Sequence, residues 1–151
     1  MQKHFETLKK SRELVLRIIK DLTIDQLNTI PKGFKNNIVW NVGHLVVTQQ
    51  LLGYRLSGVN CLVSDEMINT FRKGTAPEKP VSEEEFETIK ELFFRLPVQF
   101  EEDYNAEIFK SYDTYTTSVN VTINSIDDAV IFNTFHEGAH LGIILQLKKL
   151  V

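Results

Sequence analysis

Residues 125–149 read SIDDAVIFNTFHEGAHLGIILQLKK, and this stretch decides both the fold and the chemistry. Ser125 followed three residues on by Asp128 opens a helix, apolar residues then recur at helical spacing, and lysines fill the last turn, where they favour the helix dipole. The pattern predicts a helix running to about Lys149. On its wheel His136 and His140 share a face with Ala129, Phe132, Ile143 and Leu147, so both point toward a core. Two imidazoles four residues apart lie roughly 6 Å apart along the axis, within reach of one ion.

Working outward, three more helical segments can be read. Residues 2–22 place Phe5, Leu8, Val15, Ile18, Ile19 and Leu22 on one stripe. Asn36 or Asn37 caps a second helix through about Tyr54 or Arg55, which carries Trp40 and His44 and is broken by Ser57-Gly58. Ser82 and Glu85 form a capping box for a third, with Phe86, Ile89, Phe93 and Phe100 continuing its stripe to about Tyr104. Pro97 is expected to kink or interrupt it. Residues 111–125, rich in Thr, Tyr and Val, read as extended. Four helices around one core make an all-α four-helix bundle, expected as a single domain over 1–151. The connection 57–81 far exceeds the roughly 2–8 residues usual between bundle neighbours, which permits a long crossover and parallel second and third helices.

Composition narrows the function. Lys and Arg number 17 against 20 Asp and Glu, for a net charge of −3, and the basic residues are scattered. That leaves no electrostatic footprint for nucleic acid. The apolar runs are too short to span a membrane, and MQKHFETLKK has no apolar segment after it to make a secretory leader. The single Cys61 forms no internal disulfide. A cytoplasmic protein without membrane or nucleic-acid partners is expected.

Each histidine taken singly reads as a core residue with a satisfied hydrogen bond. The pair is different, because two buried imidazoles left unpaired cost about 1–3 kcal/mol each and one metal relieves both. His44, with Trp40, Val47 and Leu51 on its face, supplies a third inward imidazole and completes a three-nitrogen set that leaves a position open. Coordination by imidazole predicts affinity falling as pH drops through about 6. His136 to His140 also matches H-E-x-x-H, with Glu137 as the general base of a zinc protease. The extended form of that motif wants a glycine and a third histidine where this chain has Ile143 and Gln146. A protease is therefore disfavoured, and Glu137 reads as a surface or supporting residue. The Glu83–Glu85 and Glu101–Asp103 runs read as a helix start and a solvent face, and His4 as solvated.

WNVGHL on the second helix, the extended TSVNVTINSIDDAVIF and the terminal HEGAHLGIILQLKKL together resemble the DinB/YfiT-like superfamily, end to end along the chain. The resemblance implies an up-down-down-up bundle and a metal triad at His44, His136 and His140. It implies one divalent ion, nickel or zinc, and catalytic residues that remain unknown. Relatives of that kind include S-transferases using bacillithiol-type thiols and a mycothiol-dependent isomerase. The first expectation is a transferase in which a low-molecular-weight thiol attacks a small electrophilic substrate. A metal-hydroxide hydrolase and a non-enzymatic metal- or small-molecule-binding stress protein are the alternatives. Opposite the histidines, Ile131, Leu141 and Leu145 lie near Thr134, Gly138 and Gly142. That second apolar strip is expected to be covered, by a second copy in a homodimer or by the connections 57–81 or 105–124.

Overall fold

A computed structural model describes residues 1–151. It contains α1 (Gln2–Ile19), α2 (Ile24–Asn28), α3 (Ile38–Gly53), α4 (Asp65–Phe71), α5 (Glu83–Asn105) and α6 (Ile126–Lys148). The four long helices are those read from the sequence, α1 ending three residues earlier. The short α2 and α4 were hidden inside the connections. Three of the expected caps are in place: Asn37 accepts from the Trp40 amide, Ser82 and Glu85 form a full capping box, and Ser125 accepts from the Asp128 amide. The segment expected to be extended shrinks to a hairpin of β1 (Tyr115–Thr116) and β2 (Thr122–Ile123), which pair antiparallel.

Contacts between side chains fix the topology. Gln2 and Lys9 at the start of α1 meet Glu101 near the end of α5, so those helices are antiparallel. Arg12 meets Glu137, and Lys148 donates to the Ile18 carbonyl, so α1 and α6 are parallel. Asn41 meets His140 while Leu52 clusters with Ala129, making α3 and α6 antiparallel. Gln49 and Tyr54 of α3 meet Leu96 and Asp103 of α5 in the same order. The bundle is therefore up-down-down-up, with α3 and α5 parallel and the long connection crossing between them. That connection also explains why α3 is apolar almost all round. α5 and α6 flank it and α4 lies against it, so nearly all of its side chains are buried. Gly43 is what lets α4 come so close: a Cβ there would sit 2.6 Å from the Phe71 ring.

Three expectations change for tertiary reasons. The proline does not break α5, which runs unbroken through Pro97. Pro97 has no N–H for the carbonyl four residues back, and that carbonyl, Phe93 O, instead accepts from Arg12 Nη1 at 3.0 Å. Arg12 is 1% exposed, sits in the middle of the apolar stripe of α1, and also donates to Leu45 O at 3.1 Å. The Glu101 run is not wholly solvent-facing either, since Glu101 is buried and accepts from Lys9 and Gln2. His4 is half-buried against α6, its Nδ1 3.3 Å from Thr134 Oγ1. No helix is long and apolar enough to cross a membrane.

Candidate metal centre

α3 and α6 run antiparallel side by side, and this brings His44 level with His136 and His140. Ring centroids are 5.2 Å apart for His44–His136, 4.8 Å for His44–His140 and 4.5 Å for His136–His140. One nitrogen from each ring falls in a set whose members all lie within 4.8 Å of one another. The three residues expected to act together are therefore adjacent in space.

Each ring is oriented differently. His44 stacks on Trp40, centroids 4.6 Å apart and nearly parallel, and its Nδ1–H donates to the Phe71 carbonyl at 2.7 Å. Trp40 is in turn held by its indole N–H donating to Thr75 Oγ1. His140 Nδ1 lies 2.8 Å from Asn41 Oδ1, and the Asn41 amide nitrogen donates to the Asn37 carbonyl. Asn41 thus presents oxygen to the ring, which sets the proton of His140 on Nδ1. In both cases Nε2 keeps its lone pair, the arrangement usual for histidine ligands whose other nitrogen is tied to a carbonyl; that of His44 accepts from the Thr48 hydroxyl at 3.3 Å. His136 is the exception: its Nδ1 is buried with no hydrogen-bond partner, and its ring is placed by packing near Phe132.

Electrostatics keeps all three rings neutral. Burial lowers the pKa of His44, against a raising effect from the Phe71 carbonyl. His136 falls to about 3 through burial and then repulsion from His140, His44 and Arg12, and His140 to about 4 through burial and His44. Neutral imidazole is the form that ligates metal. Three such rings, two with orienting acceptors and one with an orphaned buried nitrogen, fit a divalent ion. Burial and mutual repulsion thus move protonation of His136 and His140 below the ordinary histidine range.

Glu137 does not belong to this site. It is 2% exposed and takes a forked contact from Arg12, with Nη2 to Oε1 at 2.6 Å and Nε to Oε1 at 2.9 Å. Burial pushes its carboxyl pKa up while Arg12 pulls it back. A carboxylate so engaged cannot serve as the base of an H-E-x-x-H protease, and it is a core residue rather than a surface one. Ile143, placed with the histidines on the wheel, is 38% exposed. His136 and His140 themselves are half-buried while His44 is buried, so the cluster is accessible from the α6 side. Tyr112 and Thr117 are engaged in packing: the Tyr112 hydroxyl donates to Leu52 O, and Thr117 is buried in the hairpin turn. A groove of about 980 Å³ between α3, α4 and α5 contains none of the histidines, although Trp40 and Phe71 line it too. Sequence reasoning missed Asn41, whose only signal is its place in WNVGHL one turn before His44, and Arg12, which carried none.

An antiparallel α3–α6 pair bearing a histidine triad that could hold a metal ion, inside an up-down-down-up bundle, defines the class of helical protein, and the sequence agrees with the geometry. Residues 7–144 match the DinB superfamily, and the chain belongs to it. Its fold is similar to that of a conserved protein from Enterococcus faecalis, with a TM-score of 0.67 and 16% identity over 99% of this chain and 95% of that one. No curated protein matches the chain.

Proposed function

We propose that this protein is a divalent-metal-dependent transferase, with His44, His136 and His140 as ligands for nickel or zinc and a low-molecular-weight thiol as co-substrate. The observation that carries the reading is the donor set: three neutral imidazoles, with no carboxylate or thiolate among them. Such a set leaves the ion's charge whole and, when the ion is bound, supplies a Lewis acid that lowers the pKa of a nearby thiol or water. Nitrogen-only ligation also suits nickel, zinc or copper better than magnesium or calcium. Phe71 O and Asn41 orient the ligating rings, and the partly buried His136 and His140, less covered than His44, mark the side on which a small substrate approaches. The reaction forms a carbon–sulfur bond. The thiol sulfur attacks an electrophilic carbon and gives up its proton; a halide departs with the electron pair of the broken bond, an epoxide oxygen keeps that pair and takes up a proton, and an activated alkene takes the pair of its π bond and a proton at the neighbouring carbon.

The test is to load the purified protein with nickel or zinc and follow thiol consumption against a panel of alkyl halides, epoxides and activated alkenes. Consumption that depends on metal and is lost in His136→Ala supports the transferase. Metal-dependent ester hydrolysis without thiol consumption replaces it with a hydrolase. Metal binding with neither reaction replaces it with a binding protein.

A further inference from the structure

The outer face of α6 is largely apolar and exposed, with Thr134 near His4 of α1 at one edge and charges only at its two ends. Between Asp128 and Lys148 the helix carries one acidic or basic residue, Glu137, and that residue points into the core. Ile131, Phe135 and Leu145 are 46%, 59% and 39% exposed, and nothing comes within 4 Å of where a Cβ would stand on Gly138 or Gly142. Ile131 and Leu145 stay exposed, so neither long connection seals this strip. At 100° per residue, Asp127, Ile131, Thr134, Gly138, Gly142, Leu145 and Lys149 fall within about 40° of one line, opposite the histidines.

We propose that this face pairs with the same face of a second copy, antiparallel, about a two-fold axis through Gly138. The argument is self-complementarity. A two-fold contact matches each residue before the axis with the one equally far after it. Around Gly138 that rule places Asp127 opposite Lys149 of the partner subunit, eleven residues out on each side, and Ile131 opposite Leu145 of the partner subunit. Acid meets base at both ends, apolar meets apolar between them, and the residue on the axis has no side chain. A parallel pairing would set Asp127 against its own copy and Lys149 against its own copy. The glycines let the backbones approach closely. At a crossing of about 20°, the helices part sideways by only about 6 Å at a point roughly 16 Å from the axis, within the reach of a lysine. Tyr104 donates to one oxygen of Asp127 and leaves the other free.

Sedimentation at micromolar concentration tests the pairing. A dimer mass is expected, shifting to monomer in Leu145→Glu while the helical circular dichroism is unchanged. Lys149→Glu should weaken the dimer at least tenfold, and the double variant Asp127→Lys/Lys149→Glu should restore it, because both ends then pair again with signs exchanged. A monomeric parent protein, or a dimer indifferent to Leu145→Glu, overturns the interface. A dimer lost in Lys149→Glu and not restored in the double variant overturns the antiparallel register.

Discussion

Replacing Arg12 by methionine removes a group that ties all four long helices together. Its guanidinium is 1% exposed and donates to Glu137 on α6, Phe93 O on α5 and Leu45 O on α3, while its own backbone belongs to α1. Removing one partner of a buried ion pair costs about 3–5 kcal/mol, because the other charge is left uncompensated. At roughly 2–4 °C per kcal/mol for a chain of this size, the thermal midpoint should drop by about 6–20 °C. Apolar replacement of both partners removes the stranded charge, so Arg12→Met/Glu137→Met should recover most of the loss. It should still retain about 1–3 kcal/mol for the Phe93 carbonyl, which Pro97 cannot serve. Adding Pro97→Ala to the double variant supplies the missing N–H and should recover part of that remainder. Urea titrations followed at 222 nm, at one fixed protein concentration and with chelator present, measure all four proteins. A loss below about 1 kcal/mol for Arg12→Met, or a double variant no better than the single, would refute the reasoning.

Other outcomes follow from the same contacts. His44, His136 and His140 all have folded pKa values below the unfolded value near 6.5, so below that pH the unfolded chain binds more protons. Metal-free stability should therefore fall as pH drops from about 6.5 toward 4, by up to about 1.4 kcal/mol per pH unit per histidine, and urea midpoints at pH 7.5 and 5 will show it. Metal affinity itself should hold to a lower pH than ordinary histidines would allow, because protons displace an ion only once they titrate the free rings; competition titrations between about pH 7.5 and about pH 4 check it. Asn41→Ala leaves the His140 Nδ1–H without its acceptor and should weaken metal binding about 10–100-fold in a chelator competition, with Asn41→Asp largely preserving it. Gly43→Ala drives a Cβ into the Phe71 ring and should cost about 1–3 kcal/mol in a thermal melt.

The parts of this protein that could be read from its sequence are those whose cause is local. Asn37, Ser82 and Ser125 announce helix starts because a capping side chain bonds an amide two or three residues away. The triad was legible because His136 and His140 share a helix face by spacing alone and His44 sits among apolar neighbours. What escaped depends on partners distant in sequence. Arg12 is a lone cation in an apolar stripe, and nothing near it names a carboxylate 125 residues away. Glu137 seemed superficial for the same reason. Pro97 does not interrupt α5, although the local rule counts a lost hydrogen bond, because the fold hands the freed carbonyl to Arg12. The helices α2 and α4, with 5 and 7 residues, are too short for periodicity to show, although Thr23 with Gln26 and Ser64 do cap them.

The central claim is that the three histidines form one metal centre, and equilibrium dialysis with elemental analysis of the zinc- or nickel-loaded protein tests it most directly. About one ion per chain is predicted, with affinity falling by orders of magnitude in each of His44→Ala, His136→Ala and His140→Ala while the fold persists by circular dichroism. Unchanged stoichiometry and affinity in all three variants would contradict the account.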